Sequence, residues 1–330
     1  MKSKIVKNHS SSHIWGFWGL LLLVYLVSGG WVNAQHTTEF EFFDTATPAV
    51  LTNMQTNTGA VFESIHNAYF KGNQQGLIIS AKNATEDAIK QIQRLWSTSR
   101  FYCSETEIFQ PVLQTPKGLQ VRNISVYFEQ GATNEDKYQD MVFEYTPDGR
   151  ISDAYIAIAK HQYVNFFKGS TSVTDYRLRQ LICGFVEDFR TAYNRKDLPY
   201  LEKVYSDDAL IIVGKELQSK GDGLKPNVTY DVVPRDEYMR RLRATFQRNA
   251  YINIKFEEIE VVQQDKRSPV YGVTLRQEWN SSVYSDVGWL FLMIDFENED
   301  RPQIWVRTWQ PISIPRDKVF WPGDFPNIKK

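Results

Sequence analysis

Past residue 176 the apolar positions switch between two periods. From Arg177 to Arg195, Leu178, Ile182, Phe185, Phe189 and Tyr193 recur at helical spacing and define one buried face. A short helix is predicted around 200–205, then Ser206-Asp207-Asp208 as a turn, then Ala209–Val213 as a buried strand. A polar loop, Lys215–Asn227, separates that strand from a basic amphipathic helix at 235–248, with Tyr238, Met239, Leu242 and Phe246 on its inner side. Four strand-like runs follow at 251–263, 270–279, 288–297 and 302–310, with turn residues between them.

The preceding stretch repeats this order in shorter form. An amphipathic helix runs through Val50, Leu51, Met54, Val61, Ile65 and Tyr69, and a second, at 85–97, carries Ile89, Ile92, Leu95 and Trp96. Strand-like runs follow at 100–113, 119–130, 138–146 and 151–159. Ala68-Tyr69-Phe70-Lys71-Gly72-Asn73 echoes Ala192-Tyr193-Asn194-Arg195-Lys196-Asp197. The pattern predicts an α+β protein of two related domains, 35–160 and 177–311. A linker at 161–176 contains Gly169-Ser170-Thr171-Ser172, and a Pro-rich aromatic tail occupies 312–330.

Residues 1–34 stand apart. Lys2, Lys4 and Lys7 precede the apolar run Ile14–Val27, Gly29-Gly30 breaks it, and Val32-Asn33-Ala34 supplies a small-residue exit. Charge, apolar run and exit are the three parts of a cleavable signal peptide, cut after Ala34, and the run is shorter than a bilayer span of ~20 residues. The expected compartment is periplasmic or extracellular. The whole chain carries 38 basic and 39 acidic residues; without the leader 35 face 39, a net charge of −4, with no chain-wide basic excess for nucleic acid. Cys103 and Cys183 lie in apolar segments where a buried thiol acts as a small hydrophobe, although export would permit them to pair.

The stretch from Phe189 to Ile212, with Ala192-Tyr193 ahead of Asp197, a short helix, and Asp207-Asp208-Ala209 entering a strand, resembles the NTF2-like superfamily. The resemblance implies a cone-shaped α+β domain, helices packed on a curved, mainly antiparallel sheet. It covers 175–311 well and 48–160 weakly, and the whole looks like the tandem NTF2-like proteins exported by Gram-negative bacteria. The superfamily includes isomerases, dehydratases, cyclases and plain binding modules, so the resemblance speaks to fold.

The strands at 289–296 and 304–309 are apolar on both faces, so both faces need covering. Simple alternation puts Trp305, Arg307 and Trp309, with Trp279 and Trp289, on the outer face. There they would meet the first repeat, a second copy of the chain, or a ligand or partner. Superfamily enzymes keep acid–base groups inside the cone. Residues 177–311 contain no histidine; Asp295 and Tyr193 are the candidate acid–base groups. No phosphate loop, nucleophile elbow or metal-spaced cluster is present in the sequence, and no cofactor is expected. The expectation is an exported non-catalytic binding or scaffold protein for a small hydrophobic ligand or a cell-envelope protein. The alternatives are an isomerase or lyase acting in the second cone, or a partner contact through the tail.

Overall fold

The helix richest in buried positions organises the molecule. A computed structural model describes residues 38–71, 76–131, 133–168, 173, 175–216 and 228–326; the predicted leader at 1–34, the Gly/Ser stretch at 169–172 and most of the polar loop at 215–227 lie outside the described residues. In chain order the elements are β1 (Glu39–Phe43), α1 (Pro48–Lys71), α2 (Glu86–Thr98), β2 (Phe101–Tyr102), β3 (Glu107–Thr115), β4 (Gly118–Phe128), β5 (Tyr138–Tyr145), β6 (Ile151–Ile156), α3 (Lys160–Lys168) and α4 (Tyr176–Asn194). They continue as α5 (Leu198–Val204), β7 (Tyr205–Glu216), β8 (Val228–Val233), α6 (Arg235–Arg248), β9 (Ile252–Gln263), β10 (Val270–Ser281), β11 (Ser285–Asp295) and β12 (Gln303–Pro311). The fold is α+β with two mixed sheets of six strands each, ordered β1-β3-β4-β5-β6 with β2 on β4, and β8-β7-β12-β11-β10-β9.

Local chemistry explains the helix starts. Thr85 accepts the Ala88 amide ahead of α2, Asp175 accepts the Arg177 and Leu178 amides ahead of α4, and Asp197 accepts the Tyr200 amide ahead of α5. Each side chain satisfies amides that the first helical turn leaves unpaired. Three elements were not predicted. β1 is a five-residue alternation of Glu39 and Glu41 with Phe40 and Phe42 that pairs parallel with β3. β8 extends the second sheet beyond β7. α3 occupies the first half of the expected linker, with Phe166 buried. Asp207 and Asp208, read as a turn, are exposed residues within β7.

Both meanders bend at bulges. In β4, Asn123 has φ 58° where the register with β5 slips between Val121 and Ile124; in β9, Glu258 has φ 50° beside the slip against β10 at Thr274/Arg276. An extra residue in one strand kinks it and adds twist, which curls the sheet.

The two halves meet through α4, whose residues 181–194 are all buried. One side of the helix packs on β9 and the other on β6. Arg122 of β4 reaches across to Glu187, with hydrogen bonds at 2.9 and 2.5 Å, and Glu187 also accepts the Ile158 amide at 2.8 Å. Arg190 donates to the carbonyls of Ala157 and Ile254, tying β9 to the end of β6. The first half therefore covers the helix side of the second, not its outer sheet face.

The tail covers that outer face. Phe325 stacks on Phe291 at 5.8 Å, Phe320 packs on Tyr230 and Phe325, and both seal Val270, Met293 and Val306. Gly272 makes room for it: a Cβ there would lie 2.4 Å from Pro322. Cys103 and Cys183 are buried free thiols. Among the described residues no helix is long and apolar enough to cross a membrane.

Candidate functional site

One extra residue in β12 decides what lines the second cone. Ile304 faces Ile294 and Val306 faces Met293, so Trp305 is left over as a bulge. A shift of one residue turns every later side chain to the opposite face. Val306 thus joins the outer cluster under the tail, while Arg307 and Trp309 turn inward. Their parallel neighbours on β7 agree, Ile211 beside Arg307 packing into the inner core and Ile212 beside Thr308 into the outer one.

The inner face of β10–β12, with β7 and α6, encloses a cavity of about 1250 Å³ that opens to solvent. Trp279, Trp309, Val213, Val233 and Leu242 form apolar walls. Trp309 lies across β11 because residue 288 is glycine: a Cβ there would stand 2.7 Å from the indole ring. Arg307 lies at the inner end, 8% exposed, its guanidinium 5.0 Å from the Tyr238 ring centre. The Tyr193 hydroxyl shares hydrogen bonds with Tyr238 at 2.9 Å and Tyr205 at 3.2 Å.

Burial works against charge on Arg307, but Tyr238, Tyr205 and Tyr193 outweigh it and hold the guanidinium above its ordinary pKa. Burial pushes the Tyr193 and Tyr205 hydroxyls well above the ordinary phenol value, so both stay protonated. Near the mouth, desolvation raises the Asp286 carboxyl, opposed by hydrogen bonds from the Tyr284 hydroxyl and the Val287 amide. Leu292, the register partner of Arg307, lies six residues along β11 from Asp286, which at ~3.3 Å per residue separates the two ends by about 20 Å. The inner end can hold a charge and donate hydrogen bonds; among the described residues no carboxylate or imidazole lines it to carry a proton.

No family model matches the chain, and no curated protein matches it. Among solved structures it is similar to an NTF2-like protein of unknown function from Pseudomonas putida, at 12% identity and TM-score 0.30, covering 44% of this chain and 91% of that one. It is also similar to an NTF2-like protein of unknown function from Shewanella oneidensis, at 15% identity and TM-score 0.29, covering 39% of this chain and 96% of that one. A Bdellovibrio bacteriovorus protein matches at 12% identity and TM-score 0.33, covering 62% of this chain and 76% of that one. The likeness is one of fold alone.

The predicted site residues divide between the two faces. Tyr193, Trp279, Arg307 and Trp309 come together in the cavity. Trp289 faces the other way, its indole N–H donating to the Ile314 carbonyl at 3.0 Å and its ring lying under Arg316. Trp305 is the half-buried bulge residue. Asp295 does not line the cavity; it is buried at the end of β11, where it accepts the Glu297 amide at 2.8 Å. The expected single aromatic surface is thus corrected to an inner group and an outer one, because the bulge breaks the alternation on which that surface rested. Asp286, Tyr205 and Tyr238 were missed as site residues. Asp286 and Trp279 are cross-strand partners, a pairing that sequence spacing alone does not fix.

Proposed function

We propose that this chain is an exported binding protein of two NTF2-like domains, 35–160 and 177–311, whose second cone holds a small hydrophobic molecule. The observation that carries the reading is the open cavity of about 1250 Å³ with tryptophan and aliphatic walls. Pockets of this kind, mostly apolar with a few convergent polar groups, are the usual shape of small-molecule sites. Non-catalytic binding is favoured because the inner end pairs a permanent cation with phenols that burial keeps protonated. The periplasmic or extracellular setting is supported by the pattern of residues 1–34, and mass analysis of the exported chain should find Gln35 at its N-terminus.

Calorimetric titration with biphenylmethanol, a neutral hydrophobic probe, is expected to give saturable binding. Gly288→Val should abolish it by driving Trp309 into the cavity. Undiminished binding in that variant would move the site elsewhere. An isomerase or lyase reading has one observation in its favour, the raised carboxyl of Asp286 at the mouth. Under that reading Asp286→Asn removes turnover and spares binding; under the binding reading no turnover exists to lose.

A further inference from the structure

Among the described residues, the other deeply buried arginines have a counter-charge or acceptors in place. Arg122 is paired with Glu187, and Arg195 is held between Asp188 at 3.1 Å and Asp197 at 3.2 Å. Arg190 has no carboxylate, but two backbone carbonyls and the Gln139 side chain accept from it. Arg307 differs. It forms no salt bridge among the described residues, and its Nε–H is buried without an acceptor. Among the described residues, the hydroxyls of Tyr238, Tyr205 and Tyr193 and the Tyr238 ring face it. A buried guanidinium without an anion costs several kcal/mol relative to a paired one. The residue nonetheless projects from a central strand into the open cavity of about 1250 Å³.

We infer that the ligand of this cone carries a carboxylate that docks on Arg307, and a hydrophobic body that lies along Trp309 and Trp279. This rests on the binding reading above and names the class of ligand. The charge count fits a monoanion, since one guanidinium sits at the inner end and a phosphate dianion would face a single buried cation. The planar fork of arginine matches a carboxylate by two parallel hydrogen bonds. The linked hydroxyls of Tyr205, Tyr193 and Tyr238 add a donor beside it. With the carboxylate innermost, the body of the ligand extends past Trp309 towards the opening.

The test compares biphenylcarboxylate with biphenylmethanol, which share a body and differ in the head group, on the full mature chain by calorimetry. The carboxylate is expected to bind at least about tenfold tighter, the scale of one charge-assisted pair. Arg307→Gln should bring the carboxylate down to the affinity that the same variant shows for the alcohol. Tyr238→Phe, which keeps the ring and removes one hydroxyl, should narrow the difference several-fold and serves if Arg307→Gln does not fold. Equal affinities in the wild-type chain, or an unchanged preference in Arg307→Gln, overturn the carboxylate inference and leave the cone as a binding site. Binding of neither probe overturns the cone as a site, and this inference with it.

Discussion

Single charged residues hold the two halves in register, and their energetics can be tested one at a time. Arg122 and Glu187 are 7% and 0% exposed, and the guanidinium also lies 4.0 Å from the Tyr163 ring centre. Removing one partner strands the other charge, so Glu187→Gln should cost about 3–5 kcal/mol in urea unfolding. Replacing both by methionine should recover most of that loss, because the pair gains little over well-packed apolar groups. Asp153 provides a pH-dependent counterpart. Burial, with Asp188 and Glu144 nearby, raises its carboxyl to about 7, against Lys117 and Arg195. The folded state then binds a proton that the unfolded state, with a pKa of about 3.9, has released. Stability from this group is complete below about pH 4 and is lost as pH rises through about 7. Asp153→Asn should therefore flatten the decline in melting temperature between about pH 5 and 7.5, and an unchanged slope would assign that decline to other groups.

At the scale of elements, bulges and glycines set which faces meet. Gly272 admits Pro322 to the outer face of β10, so Gly272→Val should dislodge the tail and expose residues 312–326 to limited proteolysis, with a loss of about 1–3 kcal/mol. Retention of protease resistance would mean that the Phe325–Phe291 stack anchors the tail by itself. Helix periods, the four-strand runs of each half and the apolar character of both faces of β11 were legible in the sequence. The facing of β12 was not. Ile304, Val306 and Thr308 read as one side by period two, yet Trp305 is unpaired and reverses the strand after it. Bulged positions often carry glycine; this one carries tryptophan and leaves no mark in the pattern. The same limit hid the cavity, since Arg307, Trp309 and Trp279 were placed on the outer face, whereas they line the inner cavity with Tyr193. β1 was missed although its Glu-Phe alternation is regular, because five residues directly after the predicted leader make a short signal.

At the scale of the whole molecule, the described part of residues 37–330 forms one compact unit. Layers alternate in it: α1 and α2, the first sheet, α3 and α4, the second sheet, and the tail. α4 belongs to the second core, packs on β6 of the first half as well as on β9, and has almost no solvent face, so the second half does not keep its packing alone. Unfolding in urea should be one transition, with near- and far-ultraviolet circular dichroism coincident, whereas two separated steps would mean that each half is stable without the other. A chain cut to 175–330 should bare Glu187 and Arg190 and aggregate or lose cooperativity. The split of tryptophans across the second sheet has an optical consequence. Trp279 and Trp309 line the cavity, Trp289 lies beneath the tail, and Trp321 is 58% exposed. Filling the cavity alters the emission of the first two, and lifting the tail red-shifts the third. Two events on opposite sides of one sheet can then be followed separately in the intrinsic fluorescence of single-tryptophan variants, without an added label.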